Sequence, residues 1–227
     1  MVSETTRDAC LRAFLDLLGK GAFERISLNE IAAHAGVSLS EMRGAFGSTT
    51  DLLDAFFKST DRQVLAEGGP DDGVDLEEPS HERLFEVLMR RIDALEPHRD
   101  AIASLLRSAR RDAFLALHLL RLSIRSQRWM LAAAGIDTTG LAGDIRARGL
   151  AVMFGRLLDV WLKDEDPGLS RTMARLDKDL REGAKLLGML DDLASIASFG
   201  RRPRRMRTAE ELREEMPADE RPPPEVR

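Results

Sequence analysis

Residues 27–53 read SLNEIAAHAGVSLSEMRGAFGSTTDLL, and the spacing of polar caps within this stretch decides the fold. Ser27 precedes the apolar set Leu28, Ile31 and Ala32, with Glu30 three residues after the serine. In such a pair the hydroxyl and the carboxylate each satisfy an orphan amide of the first helical turn. Ser38 with Glu41, and Ser48 with Asp51, repeat the arrangement. Gly36 stands between the first two units, where a residue that turns left-handed without steric cost is needed. The pattern predicts a short helix over 28–34, a tight turn, a second short helix over 39–46 and a third capped helix from Thr49. A helix, a tight turn and a second helix is an arrangement that presents one helix to a DNA major groove.

Outward from this stretch, apolar residues recur at three- and four-residue steps nearly everywhere. Cys10, Leu11, Phe14, Leu17 and Leu18 predict a first helix over about 5–18, ended by Gly19 and Gly21. The helix from Thr49 to about Glu67 is apolar on two sides, as an element shared by a head and a body must be. Further helices are expected over about 80–95 (stopped by Pro97), 99–111, 112–134, 137–162 and from Ser170 onward. No strand-like alternation of useful length occurs, so the fold expected is all-α. The expected architecture is a three-helix helix-turn-helix head joined by a long helix to a C-terminal helical bundle. The expected boundaries are 1–66 for the head, 67–79 (EGGPDDGVDLEEP) for a linker, 80–198 for the bundle and 199–227 for a charged tail. That tail opens GRRPRRMR and continues acidic and proline-rich, a composition unable to bury enough apolar surface to order itself.

With its motifs in place, the segment from about Thr6 to Ala66 resembles the N-terminal domain of TetR-type transcriptional regulators. The matching residues are Ala13-Phe14-Leu15, then Ile26-Ser27-Leu28, Ile31-Ala32, Ala35-Gly36-Val37-Ser38, Phe46, Ser48 and Leu52-Leu53. The resemblance covers about the first quarter of the chain. It implies a dimer with a DNA-reading head and a ligand-sensing body, more commonly a repressor, bound to a palindromic double-stranded operator. Carried over position by position, the DNA-facing set is Ser27, Ser38, Ser40, Glu41, Arg43, Ser48 and Thr49. Ser38, Arg43, Ser48 and Thr49 would meet phosphates, and Ser40 or Glu41 would lie near bases. The chain departs from the pattern where Ser40-Glu41-Met42-Arg43 replaces the usual Gly-Thr-Leu-Tyr, where Thr49 replaces a lysine and where Ala45 replaces a histidine. Glu41 has two readings, a helix cap and an acceptor for a cytosine amino group.

Charge bears on the same question. Residues 1–66 carry seven basic and nine acidic side chains, a net charge of −2, and the whole chain stands at −5. DNA-binding domains lean on phosphate neutralisation, so this head lacks the usual electrostatic excess. A second reading follows: a TetR-fold protein that binds a lipid or another hydrophobic ligand and has lost DNA binding. The segment from Glu82 to Leu105 vaguely resembles lipid-binding relatives of ubiquinone biosynthesis.

Enzyme chemistry is not legible. His34, His81, His98 and His118 are dispersed, with no zinc-ligand spacing, no nucleophile elbow and no glycine-rich phosphate loop. Neither catalysis nor a metal or cofactor is expected. The single cysteine, Cys10, permits no intrachain disulfide. The most apolar stretch, 113–134, is interrupted by His118, Arg121, Arg125 and Arg128, which argues against a membrane span. With no signal sequence, a cytoplasmic protein is expected.

Two further sets complete the expectations. A small apolar or amphipathic effector is expected among Phe85, Met89, Leu105, Phe114, Leu117, His118, Arg121, Arg125, Trp129 and Met153, with Arg121 and Arg125 spaced to hold an anionic head group. Dimerisation is expected through the last two long helices, by Gly149, Val152, Leu157, Trp161, Leu176, Leu180, Leu187 and Leu190, as a four-helix interface.

Overall fold

A computed structural model describes residues 4–67 and 77–183. The described residues form helices joined by short turns, with no strand among them. In chain order these are α1 (Glu4–Lys20), α2 (Leu28–Ala35), α3 (Leu39–Ala45), α4 (Thr49–Glu67), α5 (Ser80–Leu95), α6 (Arg99–Ala109), α7 (Ala113–Ala133) and α8 (Gly140–Trp161). A further helix, α9, begins at residue 170 and is described to residue 183. Two 3₁₀ turns not foreseen in the sequence, Phe23–Arg25 and Glu96–His98, link α1 to α2 and α5 to α6. Gly19 lies inside α1 rather than ending it. The linker residues 68–76, the tail 199–227, and Leu187 and Leu190 lie outside the described residues.

α2 and α3 are short, with 8 and 7 residues, and isolated helices of this length are marginal in water. Caps and packing hold them. Ser27 and Glu30 close a complete capping box on α2, and Ser38 and Glu41 close another on α3. Gly36 ends α2 with φ 69° and ψ 29°, and its amide reaches back to the carbonyls of Ala32 and Ala33. Ser48 accepts from the amide of Asp51 at 3.2 Å, and Asp51 in turn accepts from the amide of Gly47 at 2.7 Å, so α4 starts where the third cap predicts. Phe14, Leu18, Ile31, Met42, Leu52 and Leu53 are all buried and bind the four helices into one core.

That core is continuous with the body's. α1 packs along α6, and α4 packs against both α5 and α7. Two hydrogen bonds fasten the turn after α1 to α6: Ser104 donates to the carbonyl of Gly21, and the amide of Phe23 donates to Ser108 Oγ. α7 and α8 form an antiparallel pair. The turn between them depends on Gly143, where an added Cβ would fall 2.1 Å from the backbone of Thr138. The end of α8 is clamped: Trp161 Nε1 donates to Glu96 Oε2 at 2.9 Å, and the Arg99 guanidinium lies 5.0 Å from the Trp161 ring centroid.

Candidate nucleic-acid interface and ligand cavity

α3 rests on the head through Met42 and Ala45, which are buried, and leaves Leu39, Ser40, Glu41, Arg43 and Gly44 exposed. Leu39 is 52% exposed, unusual for a leucine in a small core and expected for one at the tip of a projecting helix. Arg43 is exposed on this surface. Arg7, the other arginine close by, is already engaged: it donates to the carbonyl of Ala45 at 2.8 Å and stacks on the Phe46 ring at 4.7 Å.

The serines and Glu41 of this surface are occupied by capping. One carboxylate oxygen of Glu41 accepts from the Ser38 amide at 2.8 Å and from its hydroxyl at 2.7 Å. These bonds to Ser38 hold the Glu41 carboxyl below the usual carboxylate range. Glu30 is held down by Ser27 in the same way. Of the two readings of Glu41, the cap is the one the geometry displays. The hydroxyls of Ser27, Ser38 and Ser48 each accept the amide three residues on and donate to the carboxylate of that same residue, so each reaches a phosphate only by exchanging the carboxylate for it. Ser40 is exposed, and Thr49 half-buried at the start of α4. The surface thus offers Arg43, Ser40, Thr49 and the backbone of α3.

In the body, an apolar cavity of about 320 Å³ lies between α4, α5, α6, α7 and α8. Phe56 and Phe57 of α4, Leu105 and Leu106 of α6, Leu119 of α7 and Phe154 of α8 are among its apolar lining. Arg110 and Asp159, ion-paired and largely exposed, also line it and link the end of α6 to α8. Its one buried charged side chain is Arg91, 3% exposed. Arg91 Nη1 sits 2.5 Å from Asp61 Oδ1, and Ser126 Oγ donates to the same oxygen. Burial pulls the Arg91 guanidinium down from its ordinary pKa, opposed by the charge of Asp61 and then by its hydrogen bond.

Of the ten effector-binding candidates, Leu105 alone lines this cavity. The other nine are corrected as follows. Phe114 (88% exposed), Leu117 and Trp129 point outward from α7. Arg121 is also exposed. His118 and Arg125 converge on Asp54 of α4, with His118 Nε2 3.3 Å from one oxygen and Arg125 Nη2 2.7 Å from the other. Arg125 and Trp129 instead border a second, more polar cleft of about 720 Å³ beside α4. Phe85, Met89 and Met153 are half-buried and pack on the core away from the cavity. The physical reason is that α7 carries apolar residues all round, so its sequence does not tell inner from outer face.

The residues missed, Arg91, Asp61, Thr60 and Ser126, left a signal. Arg91 falls in the apolar stripe of Leu84, Val87, Leu88, Ile92 and Leu95, and Thr60 and Asp61 interrupt the stripe of Phe56 and Val64. A charge at a core position requires a partner, and here the two charges are each other's.

The dimerisation set also needs correction. Leu157, Trp161 and Leu176 are 0% exposed and Leu180 is 7% exposed, so these four belong to the protomer's own core. Gly149 and Val152 do face out, on a stripe with Leu141 (78% exposed) and Ile145 (47%) at helical spacing along α8. Met173 of α9 is exposed as well. Among the described residues no group of three His, Cys, Asp or Glu is placed to hold a metal ion, and no helix is long and apolar enough to cross a membrane.

No protein-family model and no curated protein sequence matches the chain. Solved structures do. A TetR transcriptional regulator from Nitrosomonas europaea ATCC 19718 superposes with a TM-score of 0.62 at 25% identity, covering 78% of this chain and 97% of that one. A TetR transcriptional regulator from Rhodococcus sp. RHA1 gives 0.57 at 19% identity, over 81% and 95% of the two chains. A TetR-family transcriptional regulator from Streptomyces coelicolor gives 0.57 at 16% identity, over 86% and 87%. This chain has a TetR-like fold.

Proposed function

We propose that the protein is a ligand-responsive, DNA-binding transcriptional regulator, a homodimer acting as a repressor in the cytoplasm. The observation that carries this reading is α4. One end follows the outward-facing α3, and farther along its Phe56, Phe57 and Thr60 form the wall of the apolar cavity. An occupant of the cavity therefore touches the same helix that sets where α3 points. A ligand that binds one placement of α4 better than another shifts the population of the two by its differential affinity.

In this account residues 1–66 read DNA, 80–198 sense the ligand and dimerise, and 67–79 and 199–227 are linker and tail. Arg43 meets a phosphate, Ser40 lies closest to the bases, and Ser38, Ser48 and Thr49 assist at the backbone. One recognition helix reads a half-site, so a second copy is required. The exposed stripe of Leu141, Ile145, Gly149 and Val152 is the surface we assign to it, with Met173 beside it.

One observation favours the other reading, a hydrophobic-ligand carrier without DNA binding. The head's net charge is −2, and Arg7 is turned onto Ala45 and Phe46. The two readings separate on duplex DNA taken from the region flanking the protein's own gene. As a regulator, the protein retards this DNA at low salt, binding falls steeply as salt rises, and Arg43→Ala weakens it about tenfold. Unretarded DNA at low salt selects the carrier.

A further inference from the structure

The wall of the cavity contains an imbalance. Arg91 is buried and lines the cavity, yet its Nε–H has no hydrogen-bond partner. Its Nη1 is taken by Asp61 and also meets the Met130 sulfur at 4.0 Å, its guanidinium carbon lies 5.6 Å from the Phe154 ring centroid, and neither contact gives Nε an acceptor. A buried donor left unsatisfied is costly, and proteins rarely retain one. The other polar side chains of the wall, Thr60, Ser123 and the Arg110–Asp159 pair, make no bond to this nitrogen, so the missing acceptor is one an occupant of the cavity would supply.

Charge then selects the kind of acceptor. Asp61 already supplies the counter-charge to Arg91, and its Oδ1 is further held by Ser126. A ligand carboxylate on Nε would place a second anion beside Asp61 with no second cation buried in the wall. The remaining ionic pair, Arg110 with Asp159, is balanced and sits where solvent reaches it. An uncompensated charge in an apolar site is strongly disfavoured, whereas a neutral acceptor completes the guanidinium's bonding without adding charge.

We propose that the cavity takes a neutral, elongated apolar ligand with one carbonyl acceptor, an ester or ketone rather than a carboxylic acid, with the carbonyl oxygen receiving the Nε–H of Arg91. This rests on the ligand-responsive reading above and names the ligand's class.

The test uses the full-length protein in the absence of DNA and three probes of equal chain length, about ten carbons, a size suited to a cavity of this class. The probes are an alkane, its methyl ester and the matching carboxylate at pH 8, with binding followed by titration calorimetry. The ester binds at least about tenfold more tightly than the alkane, as expected of a hydrogen bond to a charged donor, and more tightly than the carboxylate. Equal binding of ester and alkane, tighter binding of the carboxylate, or no binding of any probe overturns the proposal. Arg91→Met alone strands Asp61 and is apt to unfold, so the informative variant is Arg91→Met with Asp61→Leu, which removes both charges together. This variant binds ester and alkane alike; an undiminished preference for the ester also overturns the proposal. Ala116→Phe, which fills the cavity, abolishes ester binding. If the double variant does not fold, the wild-type series decides. Ester binding by a protein that retards no DNA leaves this proposal intact and removes the regulator reading. DNA binding by a protein that prefers the carboxylate does the reverse.

Discussion

Asp61 of α4 and Arg91 of α5 form a buried ion pair with 2.5 Å between Oδ1 and Nη1. Among the described residues the pair is the buried ionic bond between the helix that carries the head and the body, beside the more exposed bonds of Asp54 to His118 and Arg125. Replacing one partner leaves the other charge buried alone, which costs about 3–5 kcal/mol. Asp61→Ala is therefore expected to lower the unfolding free energy by that amount in urea titrations. Asp61→Leu combined with Arg91→Met is expected to lose far less, because a packed apolar pair of similar volume replaces a balanced ionic one.

Gly36→Ala tests the turn on which the projection of α3 depends. Space is not the obstacle, since nothing lies within 4 Å of an added Cβ. The obstacle is the backbone, at φ 69°, where a side chain costs about 1–2 kcal/mol. The expected result is a loss of that size in thermal or chemical unfolding. A neutral or stabilising effect would contradict the turn as described.

These two cases mark what the sequence discloses and what it does not. The head was legible because its information is local: Ser27 and Glu30, or Ser38 and Glu41, lie within one turn of each other and fix a helix start without reference to anything distant. The body's cavity was not, because its walls come from five helices. Phe114, Leu117 and Trp129 look like pocket residues by composition, yet α7 is apolar on every side and only its packing on α4, α5 and α8 decides which side is inner. Arg91 and Asp61 could have been flagged as charges in apolar stripes, but their pairing across 30 residues is a tertiary fact. Leu157 and Trp161 illustrate the same limit at the dimer surface, since the most apolar face of α8 is the one the protomer itself covers.

His98 supplies a pH dependence. Burial pushes its imidazole below the ordinary 6.5, against a smaller upward pull from Asp16, and Phe56 of α4 meets the ring edge-on with centroids 5.3 Å apart. The folded state favours the neutral ring, so the unfolded chain binds the proton more readily. Stability is then complete above about pH 6.5 and declines as pH falls from there toward the folded value. His98→Phe is expected to flatten that part of the profile while keeping the aromatic contact. The capping carboxylates Glu30 and Glu41, held low by their serines, contribute stability that persists until pH falls below the ordinary 4.5, so their loss comes at more acidic pH.

Ile145→Glu with Val152→Glu places two charges on the exposed stripe of α8. Both side chains are 47% exposed, so the protomer's unfolding free energy is expected to change by less than about 1 kcal/mol. Light scattering after size exclusion is expected to show a dimer for the parent chain and a monomer for the variant. An unchanged dimer would place the interface elsewhere.

The central claim is that two copies of this chain hold two α3 helices against one duplex. Sedimentation velocity of the protein with a fluorescent duplex, drawn from the DNA flanking its own gene, tests this directly. At low salt the account predicts a complex of two chains per duplex, dispersed by rising salt and absent for Arg43→Ala with the α8 double variant. A duplex that sediments alone at every protein concentration, or one that carries a single chain at saturation, would contradict it.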